Sequence, residues 1–277
     1  MLTVLIVVAV MELLIATHVL AFAVVGTLAG VRPEEIQIGW GPGPSFSAGM
    51  TRWRLGLIPL GGSTRFPTRS GDEFNAKPPA GWSRPRQLED LSPWRRLLIT
   101  LTGPAALFAL AVGLFAIASI GSGPTVDVAT VESPVEVYIL NAPIATMIER
   151  PEAVGIGEHF AILVRLASRW WQPPDSLQPR AEWAGQTGVS SVSLMSFLAE
   201  RLRSDPVSGA AGVGYGAVLL AVFNLLPTPP LNGGVALMQL YECLFGRPVP
   251  DSVLTPLTLI GTLLWVGLMV VGFQLLF

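Results

Sequence analysis

Apolar residues in this chain gather into four long runs separated by polar stretches. The runs are Leu2 to Leu28, Leu97 to Ile120, Ala210 to about Leu240, and Val253 to Phe277. Each reaches the roughly 20 residues that a helix needs to cross about 30 Å of hydrocarbon, once Pro and Gly interruptions are allowed. The pattern predicts four membrane-spanning helices. The first run is much longer than the apolar core of a signal peptide, about 7–15 residues, and no basic segment precedes it, so it reads as a retained helix. Between the first two runs the period changes from helical to alternating. Ile36, Ile38 and Trp40 alternate with polar or small residues, Pro42 and Pro44 interrupt, and Trp53, Leu55 and Leu57 alternate again with Arg52, Arg54 and Gly56. This predicts a strand, turn and strand, a β-hairpin closed by Pro59 and Gly61-Gly62. Residues 67–93, rich in proline, predict an irregular surface segment. Farther on, Val126–Val128 and Val135–Leu140 read as short strands, and Glu158–Trp171 and Val192–Leu202 as helices.

Composition moves this pattern firmly into lipid. Of 277 residues, 51% are hydrophobic and only 13% charged, which does not fit a water-soluble chain. Seventeen basic residues against 19 acidic ones leave no surplus to neutralise phosphates, so nucleic acid is excluded as a partner. The single cysteine, Cys243, excludes an internal disulfide and any multi-thiolate zinc site.

Charge also sets orientation. Residues 32–96 carry ten of the basic residues against six acidic ones, whereas residues 121–206 carry six arginines against ten acids. The first loop is therefore expected in the cytoplasm and the second outside, with both termini extracytoplasmic. Trp94, beside Arg95 and Arg96, suits the headgroup level. The expected organisation is a first span (1–31), a cytoplasmic hairpin and loop (32–96), a second span (97–120), a small extracytoplasmic domain (121–209), a third, broken span (210–245), and a short loop with the fourth span (246–277).

Two features within the spans bear on chemistry. Ionisable groups inside a membrane helix are costly and usually face a bundle interior or a cavity, which singles out Glu12 and His18. Six residues turn a helix by about 600°, so the two point in directions some 120° apart and do not form a pair. The third span carries Asn224-Leu225-Leu226-Pro227-Thr228-Pro229-Pro230-Leu231-Asn232-Gly233-Gly234. Three prolines in four positions forbid a regular helix, and open backbone at membrane depth is tolerated only where protein or a cavity supplies partners. A kink needs one proline; this cluster reads as a built site. His159, alone in an acidic loop, reads as a solvated surface residue, and neither Asn141, Asn224 nor Cys243 stands in a nucleophile arrangement.

The chain resembles the site-2 proteases, intramembrane zinc metalloproteases that cleave transmembrane segments. The resemblance rests on Gly30-Val31, Ile38-Gly39-Trp40-Gly41, Leu57-Ile58-Pro59-Leu60-Gly61-Gly62, Gly103-Pro104 and Asn224 to Gly234, in order and at similar spacing. It implies an all-α polytopic membrane protein: a bundle of about four transmembrane helices with a membrane-associated β-hairpin and a small extracytoplasmic domain, in a bacterial inner (plasma) membrane. It also implies where chemistry should sit. His18 falls on the first histidine of the family's His-Glu-x-x-His motif, Val19 on its glutamate, Phe22 on its second histidine, and Asn232 on the aspartate of its Leu-Asp-Gly segment. Asn224 falls where the resemblance implies that relatives hold an extended substrate segment, and the hairpin edge at residues 52–60 could add a strand to such a segment, so Asn224, Pro227, Pro229, Pro230, Leu57, Pro59 and Gly61 are the expected partner-binding residues.

The departures shape the expectation. Catalytic zinc takes three protein ligands and an open water position, and its water needs a base. One imidazole, a phenyl ring, a neutral carboxamide and a valine supply neither. The sequence therefore predicts no zinc or other cofactor, although active relatives use zinc, and a pseudoprotease that binds a transmembrane partner or belongs to a larger membrane complex. The rival expectation is an active metalloprotease with non-standard ligands: His18, Asn232 and Glu12.

Overall fold

The computed structural model describes residues 2–68, 86–121, 138–139, 142–143, 155–170 and 194–276. The expected strand at Val126–Val128 lies outside these residues, as does most of the proline-rich segment. The chain divides into two compact units. One comprises Val8–Leu110 and Ala217–Met269, the other Met1–Val7, Ala111–Gly216 and Val270–Phe277.

Helix α1 (Leu2–Leu28) is apolar apart from Glu12, His18 and three threonines. Its threonines remain tolerable in that setting because Thr17 and Thr27 donate to the Leu13 and Ala23 carbonyls one turn back. Gly30, at φ +91°, ends the helix; the Val31 amide returns to the Gly26 carbonyl and Pro33 follows, which blocks continuation. Helix α2 (Pro93–Gly121) opens on a proline, whose missing N–H costs nothing in a first turn. Both α1 and α2 are long and apolar enough to cross a membrane, over Leu5–Leu28 and Pro93–Ser119. Gly209–Asn224 and Asp251–Gly267 are apolar but shorter. The two expected spans that contain them are thus not matched at full length by this measure.

The largest correction concerns the hairpin. Four strands, β1 (Glu35–Trp40), β2 (Ser45–Ala48), β3 (Thr51–Leu55) and β4 (Ile58–Arg65), form one sheet in the order β2-β3-β1-β4. The two strands read from alternation, β1 and β3, lie side by side but parallel, with Ile36 opposite Trp53 and Ile38 opposite Leu55. Parallel neighbours cannot be joined by a tight turn. The chain instead reverses twice, through β2, whose own turn onto β3 is made at Gly49, φ +63°. Pro59, Gly61 and Gly62 do not close a turn; they belong to β4, an edge strand, where a missing donor is tolerated.

The sheet is two-faced. Ile36, Ile38 and Trp53 pack with Ile15, Val19, Leu20 and Ala23 of α1. The register puts Glu35, Gln37, Arg52 and Arg54 on the other face, where Arg54 lies 3.6 Å from Glu35. A second cluster of Val31, Phe66, Leu91 and Ile99, joined by Phe22 and Val25, seals the lower end of α1 against the start of α2.

The third apolar run is two helices, α5 (Pro206–Asn224) and α6 (Asn232–Phe245), separated by Leu225–Leu231. Glycines make the break compact. A Cβ at Gly233 would lie 2.0 Å from the Leu225 carbonyl oxygen, one at Gly234 2.1 Å from the Pro229 nitrogen, and one at Gly261, in α7 (Asp251–Leu276), 1.8 Å from the Pro229 carbonyl oxygen. Any side chain there would drive into backbone. Arg96 and Glu242, both half-buried, join α2 to α6 at 2.5 Å.

In the other unit, α3 (Ile156–Trp170) and α4 (Leu194–Ser204) accompany α5 and the later part of α2, and Tyr138–Ile139 (β5) pairs with Ala142–Pro143 (β6). Phe115 of α2 is fully buried here. It stacks on His159 at 4.6 Å, meets Phe160 edge-on at 5.5 Å and Tyr215 at 5.1 Å. His159 is therefore not a solvated surface residue. It is 6% exposed, and its Nδ1 lies 2.6 Å from the Tyr215 hydroxyl.

Candidate functional site: the first-helix histidine and the broken segment

Residues 214 positions apart in sequence meet in one place. Asn232, the first residue of α6, brings its Nδ2 to 3.1 Å from His18 Nε2 on α1. The carboxamide and the imidazole share this hydrogen bond, its direction set by which ring nitrogen carries the proton. The ring's Nδ1 is buried and meets no partner in hydrogen-bonding geometry. It faces the backbone of Gly103 on α2, where a Cβ would stand 2.7 Å from Nδ1 and 2.6 Å from both His18 Cε1 and Phe22 Cε2. Glycine at 103 is what admits both rings. Phe22, one turn beyond His18 on the same face, meets it edge-on with centroids 5.1 Å apart.

Val19 points elsewhere. It is 1% exposed, and a Cβ at Gly62 of β4 would lie 2.9 Å from its Cγ2, as from that of Ile15. Its carbonyl accepts a hydrogen bond from the Thr64 hydroxyl at 2.7 Å, which fastens β4 to α1 beside the histidine. Val19 thus fills the wall between sheet and helix with hydrocarbon.

The residues read as partner-binding separate into two groups. Leu57, 74% exposed, and Gly61 are open on the sheet, with Pro59 half-buried between them. Pro227 and Pro230 are exposed, whereas Pro229 is fully buried against Gly234 and Gly261, so packing is its role. Asn224 Nδ2 donates to the Leu220 carbonyl of its own helix at 2.8 Å, which leaves its Oδ1 as the free acceptor. Sequence reasoning missed Thr64, Gly62 as a contact of Val19, and Gly261. Only Gly261 left a signal, an isolated glycine in an apolar helix.

The donor set decides what the site can hold. Among the described residues no three His, Cys, Asp or Glu side chains come together as metal ligands. Glu12 does not join His18 and Asn232; its Oε1 lies against Gly39 of β1, 3.1 Å from where a Cβ would stand. One imidazole hydrogen-bonded to a carboxamide, with a phenyl ring at the second ligand position, does not fit zinc. Nor does any carboxylate stand at Val19 to accept a proton from water.

Two helices long and apolar enough to cross a membrane, a sheet laid along the first, and a proline-broken segment meeting that helix at a histidine define the scaffold to which the family match applies. The chain belongs to Peptidase family M50, whose profile matches residues 6–268. It is 25% identical to a protein of Rhizobium meliloti over 331 aligned positions, 86% of each chain, and 25% identical to one of Clostridium acetobutylicum over 322, covering 93% of this chain and 92% of that one. A third, from Agrobacterium fabrum, is 35% identical over 119 positions, 39% of this chain and 30% of its own. All three bear the name "Putative zinc metalloprotease".

Proposed function

We propose that this protein is a pseudoprotease of the family, one that keeps the scaffold for receiving a transmembrane segment and has given up hydrolysis. The observation that carries the reading is the His18–Asn232 hydrogen bond. Where a metal would need two deprotonated ligand atoms pointing at a shared point, the two side chains satisfy one another. Phe22 and Val19 complete an apolar surround. Water polarisation and general-base chemistry have no group to perform them.

The retained parts are those that handle a partner. Leu57 and Gly61 are exposed beside the β4 edge, and an edge strand presents unpaired backbone groups to which an extended or unwinding segment can add. Pro227 and Pro230 are exposed on the broken segment. In this reading α5 with α6, and α7, provide the third and fourth crossings of a bacterial inner membrane, and both termini lie outside the cytoplasm. The partner is a transmembrane protein, held as a client or as a fixed neighbour in a larger complex.

The test uses the full chain in native membranes. A photocrosslinking residue at position 57 should capture a membrane protein, and the purified chain should leave model transmembrane substrates uncut, with or without added zinc. Cleavage that disappears in His18→Ala would overturn the pseudoprotease reading. Capture at position 57 of lipid alone would remove the partner.

A further inference from the structure

The face of the sheet turned away from α1 is polar, and its β2–β3 half is open. Paired residues project on the same side, so the register groups Arg52 with Ser47 and Arg54 with Ser45 on that face. Glu35 and Gln37 of β1 adjoin them, and Arg65 and Ser63 of β4 follow beyond, so no apolar side chain interrupts the two rows. The acids nearby are already answered: Glu35 is buried with Arg54 at 3.6 Å, and Glu34 is drawn by Arg65. Arg52 is not answered. It is exposed, and its guanidinium, like the exposed Ser45 and Ser47 hydroxyls, has no hydrogen-bond or ion-pair partner among the described residues. Guanidinium forks beside hydroxyls are a donor set that suits phosphate oxygens.

The opposite side of the same ribbon is apolar. Phe46 stacks parallel to Trp53 with centroids 6.1 Å apart, yet it stays more than half exposed and lies outside the cluster that seats Trp53 on α1. Leu55 and Met50 are each about two-fifths exposed. The depth of the ribbon is fixed by two bonds. The Thr51 hydroxyl donates to the Pro33 carbonyl at 2.8 Å and the Arg52 amide to the Glu34 carbonyl at 2.7 Å, so the start of β3 is tied to the chain just past Leu28, where the first apolar span ends. Arg52 therefore stands at the level where α1 leaves hydrocarbon, which is the level of lipid phosphates. A ribbon with aromatic rings on one side and free cationic donors on the other is built for that boundary.

We infer that the Arg52–Ser47 and Arg54–Ser45 pairs receive the phosphate of an anionic phospholipid in the leaflet where α1 ends, while acyl chains cover Phe46 and Leu55. A zwitterionic headgroup brings its own ammonium beside the guanidinium and an anionic one does not, so the face selects by net charge. A soluble anion would answer the arginines but leave the apolar side bare. The site is separate from Leu57 and Gly61 and stands whether or not a partner docks there.

The experiment places a photoreactive phenylalanine at position 46 of the full chain, reconstituted in nanodiscs of phosphatidylcholine with a minor fraction of phosphatidylglycerol, and identifies the crosslinked lipid by mass spectrometry. Phosphatidylglycerol should be captured about fivefold above its bulk fraction, the scale of one arginine at an anionic surface. Arg52→Gln should return the capture to the bulk ratio, and Arg52→Lys, which keeps the charge, should restore most of the enrichment. Inorganic phosphate in large excess should not displace the lipid. Capture at the bulk ratio by the unmodified Arg52 chain, or equal enrichment in Arg52→Gln, overturns the inference. Displacement by inorganic phosphate makes the occupant a soluble anion, and capture of a protein in place of lipid when the same chain is irradiated in native membranes makes it a macromolecule; either result also overturns it. None of these outcomes bears on capture at position 57, so the partner-binding reading stands or falls separately.

Discussion

The chain has two histidines, and each occupies a different kind of place. His159 is closed in: stacked on Phe115, bonded to Tyr215, and 6% exposed. His18 is half-buried; one ring nitrogen is bonded to Asn232, and the other is buried facing the bare backbone of Gly103 without a partner. Both bond a neutral side chain from another helix, yet only His159 is enclosed by rings on several sides, as a core residue is. His18 thus stands where α1, α2 and the broken segment meet, whereas His159 is a polar residue taken into aromatic packing.

The largest effect that can sharpen this contrast is a gain of metal. Phe22 lies one turn from His18 on the same face, and Asn232 already reaches Nε2, so the double variant Phe22→His with Asn232→Asp would supply the three ligands zinc requires. The purified wild type should retain essentially none. The double variant should retain about one zinc per chain by elemental analysis, lost again when His18→Ala is added and unaffected by His159→Ala. A double variant that stays metal-free would mean that the three positions do not share a centre.

How much of this was legible in the sequence depends on the kind of signal. His18 and Asn232 were placed by resemblance, through motif spacing around Gly30 and the prolines; no local pattern could have joined residues 214 apart. The alternation of β1 and β3 was legible because one face packs on α1. Strand β2 was not, since Ser45–Ala48 is exposed along its whole length and offers no buried face. Strand β4 was misread because Pro59 and Gly61-Gly62 signal turns, whereas an edge strand admits them. His159 was judged by the charge of its loop, although it shares a helical face with Ile162, itself buried, and that period was the better guide.

A middle-sized effect tests the closed region. Phe115 is fully buried among three aromatic rings, so Phe115→Ala should remove about 3 kcal/mol of stability through lost contact and the cavity left behind. His18→Ala removes one hydrogen bond and an orphaned nitrogen together, and should cost less than about 1 kcal/mol. Chemical denaturation of both variants in the same detergent measures the difference. Equal losses would erase the distinction between the enclosed aromatic cluster and the half-buried histidine.

The smallest expected effect concerns the pH response of the sheet that packs on α1. Glu34 precedes β1; its amide donates to the Arg65 carbonyl, and its own carbonyl accepts from Arg52, so the side chain is held where three strands converge. Burial raises its carboxyl above the ordinary value, with Arg65 pulling the other way. A raised carboxyl favours the neutral form in the fold. Its contribution is present below the unfolded value of about 4.5 and is lost as pH rises through the folded one. Glu34→Gln mimics the neutral form at every pH, so wild type and variant should match in acid and the variant should be the more stable at neutral pH. Glu34 is only half-buried, and solvent screening keeps the gain to a few tenths of a kcal/mol. Thermal unfolding at pH 4 and pH 8 reads it. A wild type that is the more stable at pH 8 would show that pairing with Arg65 outweighs burial, and would place the pH response of this region in an ion pair rather than in a buried acid.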